Sequence, residues 1–380
     1  MRRVDCLQCK NAPCITGCPV MIDIPGFIKA IEEGNMPLAY EILGRYTNLP
    51  AICGRVCPQE KQCEMVCRLG RSKKFEPVAI GKLERLVADW ALEQPLEYKE
   101  VNSDKGRVAV IGSGPSGLTT AGDLAKLGYD VTVYEAATCS RWSFDNTEFQ
   151  NSGCQNESLS RKSSELYAQG VKIETTIVVG KTITMDEIID EFDACYLSVG
   201  AGAPRFQGIK GTSLNGVYSS SEYLTRVNLM HGYQFPEYDT PVQKSKNVVV
   251  IGGGNVAMDA ARTAVRLGAD VHIVYRRSEE ELPARVEEVH HAKEEGIVFD
   301  LLTNPTEILV DENGYVKGMK CVKMELGEPD ASGRRRPVVI EGSEFEMELD
   351  TVIMSLGTSP NPLISSTTEG LEVNRWKCIV

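Results

Sequence analysis

Apolar residues recur along this chain in two periods. Short apolar runs at Arg107 to Ile111 and Asn247 to Ile251 each lead into a glycine-rich turn. Behind each turn the apolar positions return every three or four residues, from Ser116 to Leu127 and from Val256 to Leu267, which predicts a helix in each place. Each helix gives way to another short apolar run, Asp130 to Glu135 and Asp270 to Tyr275. Strand, glycine turn, helix, strand is the opening of a βαβ unit. Two copies, one starting at Arg107 and the other at Asn247, predict an internal repeat of two nucleotide-binding domains. Further strands are expected at Val171 to Glu174, Ala194 to Val199 and Thr351 to Leu356. Antiparallel strands are expected over Gly314 to Asp350, with a loop at Glu328 to Pro337. Ahead of the repeat, helix-like stretches at Ile24 to Glu33 and Val78 to Leu92 lie between cysteine-rich loops. Pro95 and the polar run Tyr98 to Lys105 read as a linker. The stretch from Cys139 to about Ser164, rich in Ser, Asn and Gln, has neither period.

Composition narrows the class. The 380 residues suffice for two or three domains, and 42% hydrophobic with 25% charged residues is the balance of a globular chain. A net charge of -12 argues against nucleic acid as the main partner, because phosphate neutralisation needs clustered Lys and Arg. No apolar run approaches the ~20 residues that span a bilayer. Met-Arg-Arg-Val-Asp-Cys at the N-terminus has no apolar stretch behind it, so the expected location is cytoplasmic, with no membrane partner.

The first glycine turn reads Gly112-Ser-Gly114-Pro115-Ser116-Gly117, and Glu135 closes the strand that follows its helix. The first glycine permits the tight turn, the second lets backbone approach a pyrophosphate, and the third lets helix and strand pack closely. The helix N-terminus offers unpaired N–H groups to phosphate, and the acid can accept from ribose hydroxyls. The second copy is Gly252-Gly-Gly254-Asn255-Val256-Ala257, and its following strand ends in Arg276-Arg277 without an acid. An acid there would repel a 2′-phosphate, whereas arginine binds one through paired N–H groups, so the second site is expected to take NADPH. The first then suits FAD, since NADPH and a flavin together permit hydride transfer. Gly200, after an apolar strand, and Gly357, Pro360 and Asn361, after another, are expected to line a cofactor. Two smaller features are expected to play other parts. His290-His291 read as a solvated helix face, and Arg334 to Arg336 as a surface loop.

Eight of the 13 cysteines lie no further along the chain than Cys67: Cys6, Cys9, Cys14 and Cys18, then Cys53, Cys57, Cys63 and Cys67. Closely spaced thiolates can face one metal centre, and Cys18-Pro19 and Cys57-Pro58 are pairs typical of iron–sulfur loops. Zinc is the competing reading. A redox-inert ion has no use beside an NADPH–flavin module, so two [4Fe–4S] clusters are expected. The fold class that follows is α/β, an N-terminal α-helical iron–sulfur domain followed by two Rossmann-like domains.

Several motifs together carry a resemblance. They are Cys6-Leu-Gln-Cys9-Lys-Asn-Ala-Pro-Cys14, Val110-Ile-Gly-Ser-Gly-Pro-Ser-Gly117, Gly252-Gly-Gly-Asn-Val-Ala-Met-Asp259, Val274-Tyr-Arg-Arg-Ser-Glu-Glu-Glu-Leu-Pro-Ala284 and Met354-Ser-Leu-Gly-Thr-Ser-Pro-Asn361. Across nearly its whole length the chain resembles the small subunits of NADPH-dependent glutamate synthases. It also resembles their relatives, the large subunits of ferredoxin:NADP oxidoreductases and the N-terminal half of dihydropyrimidine dehydrogenases. The resemblance implies an interleaved ligand set. Cys6, Cys9, Cys14 and Cys67 would hold one cluster. Cys18, Cys57, Cys63 and a carboxylate or amide in an Ile-Gly-x-Leu context, here Glu84, would hold the other, leaving Cys53 spare. It implies domains at 1–100 for the clusters, 101–225 plus 353–380 for FAD, and 226–352 for NADPH, with Glu281 to Ala284 as a nucleotide contact near the nicotinamide. It implies electron input to a partner, either a glutamate synthase large subunit or a ferredoxin-linked small flavoprotein subunit. Alternatives are a bifurcating ferredoxin:NADP oxidoreductase and an inactive fragment.

Three departures from that family stand out. Only five residues precede Cys6, where the family has a helical lead-in. A Gly-Asp motif that holds the flavin ribityl chain is expected beyond residue 380. The family also carries Pro-Gly-Gly-Val-Leu and Gly-Ile-Pro-Glu-Phe-Arg-Leu-Pro-Lys along the flavin, whereas here Ser140-Arg-Trp-Ser-Phe144 and Thr147 to Asn156 stand instead. Codons exist for Ser140 to Phe144 that, read one base later, encode the first family stretch. Codons for Thr147 to Asn156, read two bases later, encode the second. Residues from about 138 to 164 are therefore expected to be a displaced reading frame, which would make Cys139 and Cys154 accidental.

Overall fold

The computed structural model describes residues 6–71, 74–95, 104–138, 165–329, 333 and 335–380. The chain divides into two compact units. One takes the described residues up to 138, those of 165–200, and Leu363–Leu371. The other takes the described residues of Ala201–Pro362, and Glu372–Val380.

The first unit begins with helices whose starts are written in the sequence. Asp23 caps α1 (Ile24–Glu32) by accepting from the Gly26 N–H at 3.1 Å, and Asn35 caps α2 (Met36–Gly44) by accepting from Leu38 at 3.1 Å. α3 (Pro50–Val56) carries proline at its first position, where no N–H is needed. α4 (Ile80–Leu92) buries Ile80, Val87, Ala88 and Ala91 on one stripe, and Glu84 lies on that same buried stripe. Phe27, Ile28, Leu43 and Val87 make the core of this helical part, and Cys63 is part of it.

A four-stranded parallel sheet follows in the same unit: β1 (Arg107–Ile111), β2 (Asp130–Tyr134), β3 (Lys172–Glu174) and β4 (Ala194–Leu197), in the order β3-β2-β1-β4. α5 (Pro115–Lys126) connects β1 to β2, and α6 (Met185–Glu191) opens on a capping box between Thr184 and Glu187. Ala109 and Ile111 pack with Ile188 of α6, Phe192 and Ile364. Asn48, between α2 and α3, joins the helical part to the sheet part. Its amide donates to Asp123 Oδ1 at 2.6 Å and to the Thr119 carbonyl at 3.1 Å, and Lys126 donates to its oxygen.

The second unit holds a five-stranded parallel sheet, ordered β6-β14-β7-β8-β9. Its members are β6 (Val217–Ser219), β7 (Asn247–Ile251), β8 (Asp270–Tyr275), β9 (Val298–Leu301) and β14 (Thr351–Met354). A two-residue strand β5 (Ala203–Pro204) precedes them, and α7 (Ser220–Leu224), α8 (Asn255–Arg266) and α9 (Val286–Glu294) connect them. β7 explains the unbroken apolar run in the sequence: Val248 and Val250 face α8, while Val249 and Ile251 face the opposite layer. A strand covered on both faces cannot alternate apolar with polar residues. That opposite layer is an antiparallel group, β10 (Thr303–Val310), β11 (Val316–Pro329), β12 (Arg335–Val339) and β13 (Phe345–Glu348). β15 (Thr358–Ser359) pairs with β5.

Strand pairing divides the repeat differently from the expected 101–225 plus 353–380. β6 and β14 both lie in the second sheet, with β14 held between β6 and β7 and Val352, Ile353 and Met354 buried on both faces. Only residues from 363 to 371 return to the first unit. The reason is burial: an apolar parallel strand has to be paired on both edges and covered on both faces. His290 and His291 lie on α9, and both are exposed on its solvated face, as expected. Arg335 and Arg336 begin β12, and Arg334 lies outside the described residues. So do residues 139–164, where the displaced reading frame is expected.

Candidate functional site

The first glycine loop joins β1 to α5. Gly112 has a φ of 104°, a conformation open to glycine, and a Cβ there would stand 2.6 Å from the Ser198 carbonyl oxygen at the end of β4. A Cβ on Gly117 would stand 1.9 Å from the Gly112 carbonyl oxygen, so helix and strand can meet only with glycine at this position. Gly114 caps α5 without a side-chain partner, and Pro115 and Ser116 fill the first two helical positions. The first turn therefore presents backbone N–H groups that no side chain takes up, a ready anion site. Glu135 is buried. One carboxylate oxygen accepts from the Ser113 N–H at 2.8 Å and hydroxyl at 2.7 Å, and the other accepts from the Ala137 N–H at 2.9 Å. A carboxylate has about four acceptor positions, so one remains for a ribose hydroxyl. Gly200, beyond β4, has a φ of 64° and open space where a Cβ would be. Ser113, Ser198 and Tyr196, whose hydroxyl pairs with Ser116 at 2.9 Å, belong to this neighbourhood too. No spacing in the sequence marks them, because they stand at variable positions of the motif or on another strand.

The second loop repeats the plan between β7 and α8. Gly252 has a φ of 144°, and a Cβ there would meet the Ser355 carbonyl oxygen beyond β14 at 2.3 Å. Gly254 caps α8 without a side-chain partner, Val256 is exposed in the first turn, and Ala257 is fully buried against the sheet. Asn255 turns inward: its side-chain oxygen accepts from the Arg285 N–H at 2.8 Å, and the Ala284 N–H donates to the Gly253 carbonyl at 3.1 Å. The stretch Glu281 to Ala284 is thereby fastened to the loop, with Leu282 and the Tyr275 ring close against Gly253. Arg276 and Arg277 follow β8. Arg276 is exposed, and Arg277 Nε is buried with no hydrogen-bond partner among the described residues. A buried N–H of a permanent cation without an acceptor is what a bound phosphate would satisfy. Gly357, Pro360 and Asn361 lie past β14 in this second unit, not in the first, and Gly357 has a φ of 86°.

The cysteines fall into two groups. Cys6, Cys9, Cys14 and Cys67 line one pocket at the helical end of the first unit. Burial, then the nearby Cys6 and Cys67, pushes the Cys14 thiol up to about 11, and burial raises Cys6 beside Cys9 and Cys67. The second group is Cys18, Cys57, Cys63 and Glu84. Burial, then Glu64, Cys18 and Glu84, pushes Cys63 up to about 12. A hydrogen bond from Cys53 outweighs burial and lowers Cys57, which also senses Glu84, Cys18 and Cys63. Burial holds the Glu84 carboxyl well above the usual carboxylate range, and its Oε1 has no hydrogen-bond partner among the described residues. Groups that repel one another as anions stay protonated until a cation replaces the protons, which is the chemistry of a metal-ligand set. Among the described residues, no group of three or more His, Cys, Asp or Glu is gathered tightly enough for a single ion. A [4Fe–4S] cube brings its own sulfides and takes one protein ligand at each iron, so its ligands need not close on one point.

Two nucleotide loops of this kind, together with two clustered thiol sets in the same chain, define an iron–sulfur flavoprotein of the pyridine-nucleotide oxidoreductase class. Residues 103–380 match the pyridine nucleotide-disulphide oxidoreductase family, and residues 2–96 match the dihydropyrimidine dehydrogenase domain II, 4Fe-4S cluster family. The glutamate synthase [NADPH] small chain of Escherichia coli is 36% identical over 364 residues, 94% of this chain and 76% of that protein. The chain belongs to this family of NADPH-dependent FAD and iron–sulfur oxidoreductases. The NADPH-Fe(3+) oxidoreductase subunit beta of Geobacter sulfurreducens is 37% identical over 387 residues, 97% of this chain and 54% of that protein. The chain spans little more than half the length of several such relatives. Among solved structures, the FprA oxidoreductase of Mycobacterium tuberculosis shares the fold, with a TM-score of 0.59 at 20% identity over 71% of this chain and 74% of that one. The residues present fit FAD, NADPH and [4Fe–4S] clusters, by the glycine cradles, the orphaned Arg277 Nε and the orphaned Glu84 oxygen. No helix among the described residues is long and apolar enough to cross a membrane.

Proposed function

We propose that this chain takes electrons from NADPH and delivers them, through FAD and two [4Fe–4S] clusters, to a partner subunit, most simply as the electron-input subunit of a glutamate synthase. The observation that carries the reading is the pairing of two unlike nucleotide loops, one closed by Glu135 and one by Arg276-Arg277. In this reading Gly252, Gly254, Val256 and Ala257 let the NADPH pyrophosphate approach the N-terminus of α8. Asn255 holds the Glu281 to Ala284 stretch against the loop, and Arg276 and Arg277 take the 2′-phosphate. Gly112, Gly114, Pro115, Ser116 and Gly117 cradle the FAD pyrophosphate, with Glu135 on the ribose and Gly200 beside it. Gly357, Pro360 and Asn361 line the cofactor path after β14. When bound, the flavin would couple a two-electron donor to one-electron carriers. Cys6, Cys9, Cys14 and Cys67 hold one cluster. Cys18, Cys57, Cys63 and Glu84 hold the other, releasing their protons as iron binds. The glutamate synthase reading rests on the similarity to a small chain of that enzyme over most of both lengths.

The test is anaerobic purification with flavin and iron analysis, followed by NADPH-dependent dye reduction. Flavin absorption bands, iron and turnover with NADPH are expected. A chain with no flavin bands and no dye reduction would overturn the reading. Assays with candidate partners then separate the destinations. Glutamate formed from glutamine and 2-oxoglutarate with a large subunit supports the first choice. Turnover with NADH plus ferredoxin assigns the chain to a ferredoxin-linked complex.

A further inference from the structure

We propose that Arg335, on the antiparallel layer, is a specificity-determining positioning residue for NADPH. It draws the Glu281 carboxylate onto itself and leaves the Arg276 and Arg277 guanidiniums open to the 2′-phosphate. This rests on the reading that those two arginines take that phosphate. Three glutamates, Glu279, Glu280 and Glu281, follow Arg276-Arg277-Ser278 directly along the chain. They form one tight helical turn, closed by a capping box between Ser278 and Glu281. Glu281 Oε2 accepts from the Ser278 hydroxyl at 3.2 Å and from the Ser278 N–H at 3.4 Å, and that N–H belongs to the peptide joining Ser278 to Arg277. A carboxylate therefore lies against the arginine pair. A free anion in that position would close on an arginine or repel the phosphate.

Arg335 opens β12. Its Nε donates to Glu281 Oε1 at 3.4 Å, and its Nη2 stands 3.7 Å from Glu280. Lys293 on α9 takes the remaining glutamate, donating to Glu279 at 2.6 Å. Each of the three acids thus faces a cation other than Arg276 or Arg277. The consequence is visible at Arg277. Its Nε is buried with no hydrogen-bond partner among the described residues, although Glu281 is bonded to the very next residue. The backbone of the turn has separate supports. The Leu302 N–H donates to the Arg277 carbonyl at 3.1 Å, and the Leu302 carbonyl accepts from the Met324 N–H of β11 at 2.7 Å. Leu302 serves both at a left-handed φ of 48°. The Tyr275 hydroxyl donates to the Glu281 carbonyl at 2.9 Å. With the backbone held by these bonds, what Arg335 contributes is the direction and charge balance of the Glu281 side chain. That side chain is 18% exposed and the Arg335 side chain 39%, so water screens the pair in part and the effect on nucleotide choice is modest.

The full chain is purified anaerobically as wild type, Arg335→Ala, Arg335→Lys and the double variant Arg335→Ala with Glu281→Gln. Dissociation constants for NADP+ and NAD+ are measured on each by isothermal titration calorimetry. The wild type is expected to bind NADP+ more tightly than NAD+. Arg335→Ala is expected to weaken NADP+ binding by roughly threefold to tenfold and to move NAD+ binding by less than about twofold. Arg335→Lys, which keeps the charge without the planar fork, is expected to recover part of the loss. The double variant is expected to recover most of it, because the glutamine oxygen still accepts from Ser278 and carries no charge. Equal weakening of both nucleotides in Arg335→Ala would give Arg335 a purely structural role and overturn the proposal. An unmoved NADP+ affinity in Arg335→Ala, or a double variant no better than the single one, would overturn it as well. A wild-type chain that binds both nucleotides alike overturns the reading of the arginine pair itself, and the proposal with it.

Discussion

Single atoms decide the nucleotide loops. A methyl on Gly112 would meet the Ser198 carbonyl oxygen at 2.6 Å in a backbone conformation that side chains avoid. Gly112→Ala is expected to destabilise the first unit by about 1–3 kcal/mol and to lower flavin occupancy, read by thermal unfolding and the flavin-to-protein absorbance ratio. At the other loop, the orphaned Nε of Arg277 and the exposed Arg276 stand ready for a phosphate. A charge-assisted hydrogen bond contributes roughly 1.5–3 kcal/mol. Replacing both arginines by Ala is therefore expected to raise the KM for NADPH by roughly tenfold to a hundredfold and to leave the KM for NADH nearly unchanged. Steady-state kinetics with both nucleotides checks this. The glycines and arginines were legible in the sequence, because backbone approach and phosphate charge restrict the residue types. Asn255 was legible only as part of a motif. That its side chain holds the distant Arg285 needed the fold.

Between elements, a buried ion pair lies where α8 meets α9. Arg262 donates to Glu288 at 2.8 Å and to Glu295 at 2.8 Å, with Arg262 and Glu288 nearly fully buried. Removing one partner of a buried pair leaves the other charge uncompensated, at about 3–5 kcal/mol. Arg262→Ala is expected to lose stability on that order in urea unfolding, and Arg262→Met with Glu288→Leu to recover much of it. Burial pushes Glu295 up, but hydrogen bonds from Arg266 and Arg262 outweigh it and hold its carboxyl below the usual range. A carboxylate whose folded pKa is depressed contributes stability above its unfolded value, about 4.3, and that contribution fades as pH falls through the folded value. The second unit is therefore expected to lose stability as pH falls below ~4. Arg266→Ala should flatten that dependence, measured by unfolding at a series of pH values. The helix and strand segments themselves followed the apolar periods closely. Sheet membership did not, because β6 and β14 carry the same apolar signal whichever sheet they join.

For the whole molecule, the displaced reading frame is the sharpest expectation. Resequencing the gene across codons 138 to 164 is expected to show shifted bases, and a continuous frame would end the idea. A chain with the Pro-Gly-Gly-Val-Leu stretch and its successor restored is expected to hold more FAD, by the ratio of flavin to protein absorbance.

The sequence alone determined the two nucleotide loops, the crowding of eight cysteines no further along than Cys67 and the order of helical and sheet parts. Those follow from local requirements: a turn without Cβ atoms, thiolates in reach of one another, an apolar period. The tertiary structure decided what depends on partners far along the chain. It put Glu84, with an unpaired oxygen, beside Cys57 and Cys63, which belong to an earlier stretch of the chain. It gave β6 and β14 to the second sheet, and it brought the Thr47 hydroxyl within 3.7 Å of the Cys53 sulfur. Burial and electrostatic proximity are properties of packed neighbours, and no spacing along the chain encodes them.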